Sequence, residues 1–285
     1  MRIGRSRNAQ GMSFRPLYRS RRTGKFRLWP IFIFAAFFLF YYFSNRDIVP
    51  ITGRSQLVDI SEEQEAALGL QSFQKVLSQS NVLSSGPEVD FVMNVARQLV
   101  PVVEEADFEW DFRVIQSEQA NAFALPGGKV AVYTGILPIA KNRDGLAAIL
   151  GHEIAHAVAR HGAERMAQQK LMQWGTMAVS MSVGEMGMGQ QRMVLGALGI
   201  GSQFGVLLPF SRKHESEADR MGLIYMSRAC FNPQEAPPLW VRMGEQSKGR
   251  QAEFMSTHPA PETRVEQFKE WMPEALKIRA EHCKS

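Results

Sequence analysis

Apolar residues recur at helical spacing along much of the chain. After Pro87 they fall at Val89, Val92, Val95 and Leu99, which predicts an amphipathic helix that ends near Pro101. Ser61 stands in a cap position before acidic first-turn residues, which predicts a helix to about residue 80. The remaining helices are expected from Asp144 past His161, over residues 210–230, and twice more in the C-terminal third.

A different pattern occupies residues 110–136. Residues 110–115 alternate like a strand, and residues 130–133 are rich in β-forming side chains. Between them lies a Pro-Gly-Gly turn at residues 126–128. The chain is therefore expected to be α+β, mainly helical with one small sheet.

Residues 28–43 form an uncharged, phenylalanine-rich run with aromatic residues at both ends, which suits the two interfaces of a bilayer. The run is slightly shorter than the roughly 20 residues of a spanning helix, and snorkelling arginines at both ends make up the length. No small-residue cleavage site follows it, so a cleaved signal peptide is not expected. The run predicts a single transmembrane anchor over 28–44, preceded by a tail (1–27) and followed by a linker (45–60).

The net charge of +5 arises in that tail. Nine of the 33 basic residues and no acidic residue lie in residues 1–27, so the remaining chain has 24 basic and 28 acidic residues. Nucleic-acid binding requires a basic face on the folded part, so no nucleic-acid partner is expected. The basic flank predicts a cytoplasmic N-terminus and places the rest of the chain in the bacterial periplasm. An acid-free, arginine-rich start is also typical of mitochondrial targeting, which makes the mitochondrial inner membrane the alternative.

Two cysteines, Cys230 and Cys283, are present. They are not spaced as a zinc-binding Cys-x-x-Cys pair. One falls on a predicted helix and the other near the C-terminus, so we expect no role for either.

The motif His152-Glu153-Ile154-Ala155-His156 carries the chemistry. On a helix, residues four apart share a face, so His152 and His156 can direct a ring nitrogen at one Zn²⁺ per chain. Glu153 lies at the edge of that face, where it can take a proton from the attacking water. Two histidines and a glutamate inside an apolar helix are costly without a metal, which argues against a chance match.

A catalytic zinc needs a third protein ligand. His161 lies nine residues after the first motif histidine, on the opposite face of a continuous helix, and is rejected. Glu215 and Asp219 share one face of the helix over 210–230, so Glu215 is predicted to bind the metal and Asp219 to orient a ligand histidine. Glu217 is expected to be solvated, and His214 is a weaker ligand candidate.

Together these two motifs resemble the membrane-associated gluzincins grouped with CAAX prenyl proteases and HtpX. Within them the chain is most similar to the branch with the mitochondrial overlapping-activity protease and bacterial periplasmic quality-control proteases. The resemblance covers about residues 60–270 and implies a zincin-like metallopeptidase domain over 61–285. CAAX prenyl proteases span the membrane several times and this chain has one convincing span, so prenyl-peptide processing is not expected.

Two softer motifs support the resemblance. By resemblance, residues 121–128 hold an edge strand, Asn121, Ala122, Phe123 and Ala124, against which an extended substrate lies; an ordinary hairpin is the alternative. His258, in Ser-Thr-His-Pro, is either structural, a transition-state stabiliser, or a reversible fourth ligand that keeps the enzyme latent.

The methionine- and glycine-rich segment 172–209 is interpreted either as tightly packed helices or as a lid that senses unfolded substrate. The resulting prediction is a zinc-dependent endopeptidase of misfolded or damaged membrane and envelope proteins. The alternative is a zinc-bound chaperone or scaffold for the same proteins. The expected partners are unfolded polypeptides and the lipid bilayer, and a homo-oligomer is compatible with the sequence.

Overall fold

The computed structural model describes residues 26–104, 106–202, 208–247, 258 and 263–283. The predicted basic tail therefore lies outside the described residues, except for its last two. Within the described part, the protein is mainly helical with small sheets, which confirms the expected balance of helix and strand.

Most of the described chain is helical, and several predicted helices are confirmed to within a few residues. The helices are α1 (Trp29–Ser44), α2 (Glu62–Ser78), α3 (Pro87–Leu99), α4 (Leu137–Ala140), α5 (Arg143–Val158), α6 (His161–Val183), α7 (Met188–Ser202), α8 (Leu208–Arg228), α9 (Ala236–Ser247) and α10 (Arg264–His282). Ser61 caps α2 as expected: it accepts the N–H of Gln64, whose side chain accepts the N–H of Ser61 in return.

Two sheets accompany the helices, one more than the sequence predicted, because the segment before α2 also forms strands. The strands are β1 (Arg46–Ile48), β2 (Ser55–Leu57), β3 (Val82–Leu83), β4 (Asp111–Ile115), β5 (Ala122–Leu125) and β6 (Lys129–Tyr133). The larger sheet has the order β3-β4-β6-β5, in which β4 and β6 are parallel and β5 is an antiparallel edge strand. The predicted strands over 110–115 and 130–133 are thus confirmed as neighbours in one sheet.

The core is built around α5, which is buried along almost its whole length. Asn142 caps this helix by accepting the N–H of Gly145 at 2.8 Å. Helix α8 crosses α5 where Gly151 faces Gly222: a Cβ on Gly151 would lie 2.9 Å from the Gly222 carbonyl oxygen, and a Cβ on Gly222 2.7 Å from the backbone nitrogen of His152. The two backbones touch because neither residue has a side chain.

The prediction of one helix from Asp144 past His161 is wrong, because α5 ends at Val158 and α6 begins at His161. Between them Arg160 adopts a left-handed conformation, with φ of 55°. Its side chain holds this turn by donating to Glu65 Oε2 at 2.7 Å and to the Ile60 carbonyl at 2.9 Å. These partners lie far away in sequence, and local helical pattern does not reveal them.

The segment over 45–60, expected to be a short linker, contains an antiparallel hairpin, β1–β2. Val49 and Leu57 of this hairpin are buried. Arg54, at its turn, reaches between α6 and α8 and forms ion pairs with Glu164 at 2.7 Å and Glu217 at 2.8 Å. The hairpin is therefore part of the folded body.

Helix α1 lies against α6. Trp174 packs edge-on against Phe37 and Tyr41, with ring centroids 5.1 and 5.3 Å apart, and Gly175 allows the close approach of Phe34. An apolar cavity of about 540 Å³ lies between α1, α6 and α7. Among the described helices, none combines the length and the hydropathy required of a membrane span. Helices α6 and α7 contain most of the methionine- and glycine-rich segment 172–209, and the lid function suggested for this segment stays a prediction.

The expectation that the two cysteines have no role is wrong: Cys230 and Cys283 form a disulfide, with Cα atoms 5.5 Å apart. The correction follows from packing, because α10 lies along α8 and brings the two helix ends together. The bond closes a loop of 53 residues, whose entropic contribution to the free energy of unfolding is about 4 kcal/mol.

Candidate metal centre

The crossing of α5 and α8 brings the motif histidines opposite the carboxylates of α8. His152 Nε2 and His156 Nε2 lie 3.1 Å apart on one face of α5. Glu215 faces them with its Oε2 3.3 Å from His152 Nε2 and its Oε1 3.5 Å from His156 Nε2. His258 Nδ1 lies 3.2 Å from both His152 Nε2 and Glu215 Oε2. Among the described residues, these four side chains form the group able to hold one metal ion.

The donor set fits zinc. Bonds of about 2.0–2.1 Å in a tetrahedron place the ligand atoms roughly 3.3 Å apart. His152 Nε2 lies 3.1 to 3.3 Å from the nearest nitrogen or oxygen of each of the other three side chains, and all four ligand atoms lie within 4.8 Å of one another. Imidazole nitrogens with one carboxylate are typical ligands of this ion. Lone pairs held this close repel each other, so the arrangement calls for a positive charge at its centre.

The electrostatics of the group agree with that requirement. Burial alone would lower the pKa of His152, but the carboxylates of Asp219 and Glu215 outweigh burial and raise this pKa to about 9. Burial also tends to raise the pKa of Glu215, whereas the histidines around it hold that pKa well below its ordinary value. Burial lowers the pKa of His156 well below its usual range. The pocket thus favours a carboxylate and attracts a cation.

Glu153 stands beside the four-residue group without belonging to it. Its Oε2 accepts the N–H of Ala124 on β5 at 3.2 Å, while its buried Oε1 has no hydrogen-bond partner in the described part of the chain. The Nε2 of His258 lies 3.5 Å from that Oε1. Burial raises the pKa of Glu153, which suits a group that takes up and releases a proton.

Asp219 contacts His152 on the side of the ring away from the group, with Oδ1 2.9 Å from Nδ1. Arg264, at the start of α10, donates twice to this carboxylate, at 2.5 and 2.7 Å. Its guanidinium also lies 3.4 Å from the ring centre of Trp240. Arg264 and Trp240 were not predicted from the sequence. Nothing in the local sequence distinguishes an arginine that lies 45 positions after its partner.

Three further predictions concern polar residues next to the group. Glu217 is buried and not solvated, because it pairs with Arg54 and with His161 Nε2 at 3.0 Å. His214 contacts Glu164 Oε2 at 2.8 Å and is not a member of the metal-binding group among the described residues. His161 also lies outside that group. The reason for rejecting it was nevertheless wrong, because the helix is broken and its Nδ1 lies 2.8 Å from His156 Nδ1.

The predicted edge strand borders the candidate centre. The N–H of Tyr133 donates to the Asn121 carbonyl at 3.0 Å, so residues 121, 123 and 125 pair with β6. Ala122 and Ala124 therefore direct their backbone groups to the open edge of the sheet, towards α5. The contact of the Ala124 N–H with Glu153 follows from this alternation.

Comparison with known proteins agrees with these features. The sequence model of peptidase family M48 matches residues 91–272. The chain is similar to the protein named mitochondrial metalloendopeptidase OMA1 in Schizosaccharomyces pombe, with 39% identity over 82% of this chain and 69% of the relative. Its Saccharomyces cerevisiae counterpart is 31% identical over 95% of this chain and 80% of the relative. A beta-barrel assembly-enhancing protease of Yersinia pestis is 28% identical over 77% of this chain and 46% of the relative.

Replacing Arg264 by methionine should lower the free energy of unfolding of the zinc-loaded protein by about 3–5 kcal/mol. The reason is that the variant leaves the buried Asp219 carboxylate without its charged partner. Denaturant unfolding measures this. The matched control is Arg220→Met. Arg220 forms an exposed ion pair with Glu274 at 3.2 Å, and losing this pair should lower the free energy of unfolding by less than about 1 kcal/mol. Equal effects of the two variants would contradict the role given to Arg264.

Proposed function

The chain belongs to peptidase family M48, as the two motifs indicated, and we propose that it holds one Zn²⁺ with His152, His156 and Glu215 and hydrolyses peptide bonds with Glu153 as proton carrier. That the protein is a zinc metalloendopeptidase follows from the family. The assignment of these residues rests on one observation: the three ligand atoms converge beside a buried Glu153 oxygen that has no hydrogen-bond partner in the described chain.

In the proposed mechanism, bound zinc supplies a Lewis acid that polarises the scissile carbonyl and makes water more acidic. Glu153 accepts the proton of the attacking water on Oε1 and passes it to the nitrogen of the leaving amine. The N–H of Ala124 keeps the other carboxylate oxygen in place. Asp219 fixes the tautomer of His152 by accepting from its Nδ1, so that Nε2 presents a lone pair.

His258 is proposed as a fourth ligand that fills the position a substrate needs. Support comes from its Nδ1, which lies 3.2 Å from both His152 Nε2 and Glu215 Oε2, within the 3.1 to 3.5 Å that separate the atoms of the other three side chains. A centre with four protein ligands has no open position, and this describes a latent enzyme. Displacement of His258 is then the step that opens the centre.

The substrate is proposed to bind as an additional strand on β5. The N–H of Ala124 is occupied by Glu153, but the outward N–H and carbonyl of Ala122 and the outward carbonyl of Ala124 offer hydrogen bonds to an extended peptide, whatever its sequence. Such a peptide would cross the edge next to Glu153. This mode of binding requires an unfolded segment, which suits misfolded or damaged membrane and envelope proteins as substrates.

We propose that α1 anchors the protein in a membrane and that the catalytic domain lies in an oxidising compartment. Large apolar side chains of α1 are exposed, among them Phe32, Phe40 and Phe43, and burying them would remove apolar area from water. The disulfide favours a compartment outside the reducing cytosol. The higher identity to fungal mitochondrial proteins than to the bacterial one favours the mitochondrial inner membrane over the periplasm.

Glu153→Gln should lower cleavage of casein by at least about 100-fold while the protein still binds one zinc, because only the proton carrier is lost. Metal analysis and a casein assay on the purified full chain measure both quantities. His156→Ala is the matched control and should lose both the cleavage of casein and the bound zinc. Near-normal cleavage by Glu153→Gln would refute the mechanism, and a His258→Ala variant that cleaves less than wild type would refute latency.

A cleaved peptide can test strand addition. Methylating single backbone nitrogens of such a peptide should raise KM by about tenfold or more at every second position, because only alternate N–H groups face β5. The intervening positions are the internal control. A uniform effect along the peptide, or none, would exclude binding as a strand.

The anchor and compartment are tested in cells that express the full chain. We expect the protein to stay with the membrane pellet after alkaline extraction, and both cysteines to resist alkylation until a reductant is added. Release into the supernatant would contradict the anchor, and immediate alkylation would contradict the compartment.

A further inference from the structure

His161 occupies an unusual position next to the candidate centre. Because Arg160 turns the chain between α5 and α6, the first residue of α6 folds back onto the last turns of α5. The rings of His161 and His156 meet edge to face, with centroids 4.9 Å apart and Nδ1 atoms separated by 2.8 Å. This contact uses the nitrogen of His156 that does not face Glu215.

The partners of His161 determine which nitrogen carries hydrogen. Its Nε2 lies 3.0 Å from Glu217 Oε2, and a carboxylate only accepts, so His161 donates from Nε2. The Nδ1 of the neutral ring then bears the lone pair and accepts from Nδ1–H of His156. His156 is left with its lone pair on Nε2, the atom 3.1 Å from His152 Nε2.

Glu217 is itself fixed on two sides. Arg54 donates to its Oε2 at 2.8 Å, and the hydroxyl of Thr52 donates to Oε1. The same guanidinium donates to both oxygens of Glu164, at 3.0 and 2.7 Å. These contacts connect the hairpin β1–β2 through Glu217 and His161 to His156.

We propose that His161 is a positioning residue that fixes the tautomer and orientation of His156, with Glu217 and Arg54 holding His161 in turn. The two motif histidines are then supported differently: His152 directly by the carboxylate of Asp219, and His156 by a carboxylate acting through a second imidazole. The inference rests on the proposed role of His156 as a zinc ligand. It makes the hairpin before the catalytic domain a support of the metal site.

Three substitutions of His161 separate its two contacts. The amide of asparagine ends where Nδ1 lies and the amide of glutamine where Nε2 lies, so His161→Asn keeps an acceptor for His156 and His161→Gln keeps the contact with Glu217. His161→Phe keeps the ring and loses both. We expect the zinc Kd, measured by chelator competition on the purified full chain, to rise about 10- to 100-fold for Phe and Gln and to stay within about threefold for Asn.

Thermal unfolding of the zinc-free variants provides the second readout. A merely structural role would change the unfolding temperature and the zinc Kd together. We instead expect His161→Asn and His161→Gln to have similar unfolding temperatures without zinc but different zinc Kd values. Equal zinc Kd values for Asn and Gln would overturn it.

The matched pair Glu217→Leu and Glu164→Leu tests the outer contact. Both glutamates are buried and paired with Arg54, but Glu164 bonds His214 in place of His161. The zinc Kd should rise about tenfold for Glu217→Leu and stay within about threefold for Glu164→Leu. Equal zinc Kd values for the two variants would contradict the proposal that Glu217 holds His161 in place. His156→Ala separates the two proposals: retained zinc contradicts the proposed function, whereas lost zinc with an unaffected His161→Phe contradicts only this inference.

Discussion

The backbone contact between Gly151 and Gly222 sets the distance on which the metal centre depends. Any side chain at either position would meet the backbone of the other helix and push α5 and α8 apart. His152 Nε2 and Glu215 Oε2 belong to these two helices and lie 3.3 Å apart, so a displacement of even one ångström would place them beyond the reach of a common metal ion. The centre is thus a consequence of how closely two buried helices can pack.

Charge explains why such a centre is stable inside the fold. Glu153, Glu215 and Asp219 are buried within it, and Arg264 contacts the carboxylates of Glu215 and Asp219. When the histidines are neutral and all three carboxylates are ionised, one guanidinium leaves a formal charge of −2, which one divalent cation would neutralise. Buried carboxylates without compensation would be strongly unfavourable. A bound divalent cation would therefore stabilise the folded form of this region.

The spacing of residues along one helix predicted correctly which candidate site residues share a face. Residues four apart placed His152 with His156 and Glu215 with Asp219, because the helical period is a local property. The break at Arg160 was not predictable, since its cause is a contact with the distant Glu65. For the same reason Arg264 and the disulfide escaped notice: each depends on which helix ends meet in three dimensions. The larger sheet and the limits of several helices followed from pattern alone, whereas the family was identified by the resemblance of its motifs.

The disulfide between Cys230 and Cys283 encloses the stretch of chain that carries His258. A peptide bond cut anywhere inside this stretch leaves both fragments covalently joined. Self-cleavage there would not change the apparent mass of the protein in a non-reducing gel, and the fragments would separate only after reduction. A nicked molecule could therefore keep the end of α10 beside α8 and pass for an intact one.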